Sequence, residues 1–282
     1  MRKLTLFEQF ILFLQKDMIT PLPFEWFHIL CIALMIAAVG ICWLIRKRHS
    51  EIQLKCVLAM YSIPTLIFEV LKQIAWSATI TVEGIVWHYR WYAFPFQLCT
   101  TPLIVCLICL FLKKNTVRKA LLSYVAFITI LGSFSVIIYP NNVFCTDILV
   151  NIHTTYLHFG SFVVSLYLLF SKEVKIQLKE FARGVYVFIM FAMTANIMNI
   201  LVYRSGVLNG DTFNMFYISP YFISSLPVFN QIQQELPYIA FLCIYIIGLS
   251  CGGFLIYGIG YGIKCLSELI IHKRKLLKKH NY

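Results

Sequence analysis

Seven apolar stretches fall at roughly 24–45, 52–76, 95–112, 119–139, 149–170, 184–203 and 237–262 of this 282-residue chain. The loops between them alternate between strongly basic and almost free of Lys and Arg. A span needs about 20 apolar residues to cross a bilayer, so the pattern predicts an all-α, polytopic membrane protein with seven transmembrane helices. Composition agrees. The chain is 60% hydrophobic and 13% charged, against about 25% charged in soluble domains, and its mean hydropathy is +0.79.

The basic residues set the orientation. Arg46, Lys47, Arg48 and Lys55 follow the first stretch, Lys113, Lys114, Arg118 and Lys119 the third, and Lys172, Lys175, Lys179 and Arg183 the fifth. The end of the chain carries Lys264, Lys273, Arg274, Lys275, Lys278 and Lys279. Only Arg90 and Arg204 stand on the other side, and no Lys or Arg lies between the fourth and fifth stretches. By the positive-inside rule the N-terminus is outside and the C-terminus cytoplasmic. Arg2, Lys3 and Lys16 run against the rule, and Leu4 to Leu14 is expected to lie flat as an interfacial helix. The expected organisation is an interfacial segment at 1–23, a seven-helix domain at 24–262 and a basic cytoplasmic tail at 263–282.

Topology also explains the net charge of +12, so a nucleic-acid partner is not expected. Leu4–Leu14 is short, is followed by Lys16 and Asp17, and lacks a small-residue cleavage site, so no signal peptide is expected. Most of the ten cysteines lie inside the apolar stretches, where a thiol packs as a small apolar group. Cys106 and Cys109 form a lone CxxC with no second pair, so neither metal nor other cofactor is expected. No internal repeat supports an inverted-repeat transporter.

Lys72 is the one basic residue assigned to neither a loop nor the end of a stretch, and it stands three positions after Glu69. Residues three or four apart share a helix face, so Glu69, Lys72, Gln73 and Trp76 form one stripe. Its plainer reading is a self-neutralising ion pair that ties helices together. Intramembrane ionisable groups are otherwise functional candidates.

At about 1.5 Å rise per residue, Cys99 and His153 lie about 6 Å below the outer surface and His158 about 14 Å. On the sixth helix Asn199 and Asn196 lie about 6 and 10 Å deep and share a face with Tyr203. Four helices therefore send polar groups to the outer half. A Cys and a His on neighbouring helices suggest nucleophile and base, because the thiolate is the reactive form. Gln97, Asn196 or Asn199 can hold an oxyanion or headgroup, or act as interhelical hydrogen-bond glue.

Phe94-Pro95-Phe96-Gln97-Leu98-Cys99 resembles the "LP-x-H-L-C" signature of the YwaF-like integral membrane proteins, a bacterial family. Its animal relatives include a transmembrane acyltransferase of ether phospholipids. Tyr156-Leu157-His158 is similar to that family's His-bearing helix, Asn199 through Tyr203 to its sixth helix, and Asp211-Thr212-Phe213-Asn214-Met215-Phe216 to its "N-Y-M-F-L…P" turn. The resemblance runs over about residues 24–260. It implies seven helices with a Cys–His pair, Cys99 as nucleophile and His158 as base, and CoA-independent acyl transfer. Gln97 stands where the signature often has His.

The expected function is thus a membrane-embedded lipid acyltransferase or lipid hydrolase acting through a thioester near the outer leaflet of a bacterial plasma membrane. Membrane lipids are the expected substrates. The expected site comprises Cys99 and His158, with Gln97, Asn196, Asn199, Tyr203, Glu69, Lys72 and His153 binding substrate. The alternative is a transporter, channel or small-molecule-binding protein using Glu69–Lys72, the Asn pair and the histidines as a polar pathway. Oligomeric state is left open by the sequence.

Overall fold

The computed structural model describes residues 2–141 and 143–280, with side chains through Ile270 and at Lys273. A short helix α1 (Leu6–Leu14) is followed by α2 (Trp26–Ile45) and α3 (Glu51–Ser77). A two-stranded antiparallel ribbon follows, β1 (Ala78–Ile80) and β2 (Ile85–Trp87). Then come α4 (Thr101–Phe111), α5 (Thr116–Tyr124) and α6 (Ile130–Ile138), the last two joined by a π-helical turn over Val125–Thr129. The chain ends in α7 (Ile148–Phe170), α8 (Leu178–Arg204), α9 (Phe229–Glu235) and α10 (Tyr238–His280).

Helices occupy all seven apolar stretches. Among the described residues five are long and apolar enough to cross a membrane: Trp26–Arg48, Glu51–Ser77, Thr116–Ile138, Leu178–Arg204 and Tyr238–Ile270. The other two differ for separate reasons. Helix α4 is apolar but has only 11 residues. Helix α7 has 23 residues, but Asn151, His153, Thr154, Thr155 and His158 dilute its apolar first half.

The boundaries of three stretches shift. The third helix begins at Thr101 rather than near 95, with Pro102 in its first turn, where a missing N–H costs nothing. Cys99 therefore lies in the turn before the helix, not one turn inside it. The sixth begins at Leu178. The last continues through the expected tail as one helix of 43 residues. The N-terminal helix forms as α1, closed by a capping box between Thr5 and Glu8.

Consecutive long helices run antiparallel, which gives the bundle two ends. At one, Arg118 is 1% exposed and grips Glu51 through both guanidinium nitrogens, at 2.5 and 2.7 Å. Glu173 accepts from Arg118 at 3.3 Å and stands 3.0 Å from His49 Nε2. Three loops are thus held by one buried cation, and the basic loops collect here. At the opposite end the connections are irregular and almost free of cations.

Close packing has local causes. An added Cβ at Gly184 would stand 2.8 Å from Ser123 O, so α8 approaches the α5 backbone as only glycine allows. Pro64 inside α3 leaves the Met60 carbonyl without its helical N–H, and Tyr156 Oη donates to that oxygen at 2.6 Å. Tyr61 Oη returns the favour, donating to Leu157 O at 3.2 Å. The outward faces remain apolar, with Ile36, Tyr186 and Ile247 all exposed, as hydrocarbon surroundings require.

Candidate functional site

The α3 stripe is buried and turned into the bundle. Glu69 is 3% and Lys72 7% exposed. Lys72 Nζ lies 2.8 and 2.9 Å from the two Glu69 oxygens, and Gln73 Nε2 donates to Glu69 Oε1 at 2.7 Å. From α7, His153 Nε2 stands 2.9 Å from Glu69 Oε2. That nitrogen lies out of line for a hydrogen bond, so the contact is electrostatic rather than directional. Gln73 also donates to Ala93 O at 2.7 Å, and Trp76 Nε1 to Asp147 Oδ2 at 3.1 Å. Asp147 caps α7 through its other oxygen. One carboxylate therefore joins α3 to α7, and its neighbours tie both to the segment before α4.

Two irregular segments fill the bundle between α4 and α8. The first runs from His88 to Thr100. The second runs from Asp211 to Val228 and includes Phe213, Met215, Phe216 and Ile218, each at most 1% exposed. Buried backbone without helix or sheet must find side-chain partners, and two amides supply them. Gln97 Nε2 donates to Asn214 O at 3.1 Å while its Oε1 accepts from Phe216 N at 2.9 Å. Asn199 brackets Met215 in the same manner. Asn196 Oδ1 accepts from Tyr238 Oη at 2.5 Å. Tyr203 is exposed at 46% and stacks on Tyr221, with ring centroids 3.7 Å apart. The amides of Gln97 and Asn199 are thus engaged with backbone, and Asn196 with a tyrosine.

Cys99 closes the turn Gln97–Thr101, in which the Thr100 and Thr101 N–H groups both donate to Gln97 O. The side chain is half-buried and stands just before the N-terminus of α4. Lys72 and Glu69 lie close enough to share its electrostatic environment, as do Tyr61, Tyr124, Tyr217 and Tyr245. Tyr124 Oη is bonded to Thr101 Oγ1 at 2.6 Å. The Tyr245 hydroxyl is fully buried with no partner. His158 is 7% exposed on α7, five residues beyond His153. Among the described residues no hydrogen bond joins it to Cys99, and no group of three or more His, Cys, Asp or Glu could hold a metal ion.

The family model of the TMEM164 family matches residues 23–261. The chain belongs to the TMEM164 family. The TMEM164 match covers α2 through the first half of α10, so it contains every residue of the site and leaves out α1. No curated protein and no solved structure matches the chain. The helices and the family together make this a membrane protein embedded in a lipid bilayer.

Several participants gave no signal in the sequence. Tyr61, Tyr245 and Asn214 are ordinary residues of apolar or turn segments until the fold brings them to Cys99 and Gln97. Asp147 carried a weak signal, since Asp before an apolar run is a helix N-cap.

Proposed function

We propose that this TMEM164-family protein is a lipid acyltransferase that uses Cys99 as nucleophile and His158 as base, with hydrolysis as its side reaction. One observation carries the reading: α4 packs on α7, and Cys99, in the turn before α4, and His158, within α7, each precede the last residue of those helices by 12 positions, Phe111 and Phe170. The half-covered thiol at the α4 N-terminus adds to it.

In this reading all seven helical segments cross the bilayer, α4 together with the irregular segment ahead of it, with the N-terminus outside and the basic Arg118 end in the cytoplasm. The irregular segments then lie in the outer half, where non-helical backbone is tolerated only when protein covers it. The Phe94–Cys99 and Asp211–Phe216 motifs support a YwaF-like branch and a bacterial plasma membrane.

The chemistry follows from the side chains. His158 takes the Cys99 proton, and the thiolate attacks the ester carbonyl of a donor phospholipid. The S–acyl bond forms, the ester C–O bond breaks, and His158 returns the proton to the departing lysolipid oxygen. An acceptor hydroxyl then gives its proton to His158 and attacks the thioester, which frees the thiol. The oxyanion needs a donor that is not already used. Gln97, Asn196 and Asn199 are engaged, so the Tyr245 hydroxyl takes that role. Glu69, Lys72 and His153 stand beside the thiol and receive the lipid headgroup.

A Cys99→Ala variant reconstituted with a phospholipid donor and a lysophospholipid acceptor tests this. Transfer should vanish while insertion and folding persist, and Cys106→Ala should keep most turnover. A thiol-reactive lipid analogue should label Cys99 first, more slowly in His158→Ala. An active Cys99→Ala protein ends the thioester reading. The buried Glu69–Lys72–His153 cluster would then favour the transport or small-molecule-binding reading.

A further inference from the structure

A lateral groove of about 520 Å³ separates α2 from α3, with α7 as its floor. Its lining runs along α2 from Phe27 to Ile45, about 27 Å of helix rise. The groove therefore lies along the bundle axis, the direction of lipid chains in a bilayer. Helix α2 stands away from the bundle, with only 11% of its apolar window buried. The lining is almost wholly apolar, from Met35 and Ala38 on α2, Met60 on α3, and Phe159 and Val163 on α7. The outer flank of α2 is apolar as well, with Ile36 and Leu44 exposed. What surrounds the opening is hydrocarbon.

Tyr61 separates this groove from the thiol. It lines the groove, yet it is only 3% exposed and shares its electrostatic environment with Cys99. The ring lies on Gly160, where an added Cβ would stand 2.7 Å from it. The hydroxyl is pinned to Leu157 O, next to His158 in the chain. Tyr61 stands 10 residues into α3 from Glu51, about 15 Å of rise, where its hydroxyl meets the α7 backbone one residue before His158.

We infer that the α2–α3–α7 groove binds one hydrocarbon chain of a membrane phospholipid, with Tyr61 as the partition between that chain and the Cys99 side of the bundle. That the bound lipid is the acyl donor rests on the function proposed above. Occupancy of the groove by a chain does not.

The test uses the full-length protein in phosphatidylcholine vesicles containing a phosphatidylcholine with a diazirine near the end of one acyl chain. After illumination, adducts are mapped by mass spectrometry. Met35, Ala38 and Met60 should carry at least fivefold more adduct than Met190 and Met193, which are exposed on α8. Ala38→Trp fills the groove and should remove that excess, while Cys99→Ala should keep it. Met60→Phe serves as a second, milder filling variant if Ala38→Trp does not fold. Equal labelling of the groove and of α8 would mean surrounding lipid only and would overturn the inference, as would adducts unchanged by the filling variants or crosslinks to a second protein chain. Turnover separates the two proposals. Labelling lost in Ala38→Trp from a wild type with no acyl transfer keeps the groove and ends the enzyme reading. Active wild type with even labelling does the reverse. If both hold, Ala38→Trp should cut kcat/KM for a long-chain donor at least tenfold and leave a short-chain donor within twofold.

Discussion

Asn199 holds both ends of Met215: its Oδ1 accepts from Met215 N at 2.7 Å and its Nδ2 donates to Met215 O at 3.0 Å. Both residues are fully buried. Asn199→Leu would leave a backbone N–H and a backbone C=O without partners, at about 1–3 kcal/mol each. Thermal unfolding in detergent should show a clear loss, whereas Thr194→Val, at an exposed site of the same helix, should change little. Equal stability of the two variants would mean that water replaces the clamp.

Lys72 and Glu69 should behave as a unit. Lys72→Met leaves a buried carboxylate held only by Gln73 and His153 and should destabilise by about 3–5 kcal/mol. Lys273→Met, at an exposed site, should be neutral. The double replacement Glu69→Met/Lys72→Met should recover part of the loss, because it removes both charges. Denaturation of the three variants reads the difference.

Two glycines should answer oppositely to alanine. At Gly184 the new methyl meets backbone, Ser123 O at 2.8 Å and Tyr124 N at 3.1 Å, which cannot move aside. Gly184→Ala should cost about 1–3 kcal/mol. At Gly40 nothing lies within 4 Å, so Gly40→Ala should stabilise α2 by about 0.5–1 kcal/mol. Melting temperatures give both signs.

The orphan hydroxyl of Tyr245 separates stability from chemistry. Tyr245→Phe removes an unsatisfied buried group and should be neutral or stabilising. If the hydroxyl holds the oxyanion, acyl transfer should fall about 10²–10³-fold in the same variant. Unchanged turnover would remove Tyr245 from the mechanism.

The α1 cap should depend on pH. The Thr5 backbone N–H, then the Arg2 side chain, hold the Glu8 carboxyl below its ordinary range. A depressed folded-state value gives stability present above the unfolded value and lost as pH falls through the folded one. Hydrogen exchange of residues 6–14 should therefore accelerate below about pH 4, and Glu8→Gln should remove that dependence.

Helix positions were legible because apolar runs of membrane length are long and locally written. The α4 start was missed: Pro102 marks a first turn, but the apolar run beginning at Pro95 masked it. The ionic stripe of Glu69, Lys72 and Gln73 followed from spacing alone. Its partner His153 did not, because α3 and α7 are distant in sequence. Gln97 reads as an oxyanion or headgroup ligand, and Asn199 as that or as interhelical glue; both are backbone clamps. Gln97 bonds Phe216, 119 positions away, and no local pattern announces such a partner. The π-helical turn at Val125–Thr129 carries no Pro or Gly to signal it.

Helix α4 has consequences for how the chain enters the membrane. Its 11 residues rise about 16 Å, half of a hydrocarbon core of about 30 Å. Such a segment cannot settle across a bilayer as it leaves the ribosome. It must wait for α5, only a few residues behind, and enter as a hairpin. The irregular stretch ahead of it can be drawn below the surface only after Asn214 and Phe216 have been synthesised. Biogenesis of the thiol-bearing turn is therefore late, and a chain arrested before α9 should hold its helices while Cys99 remains exposed to water.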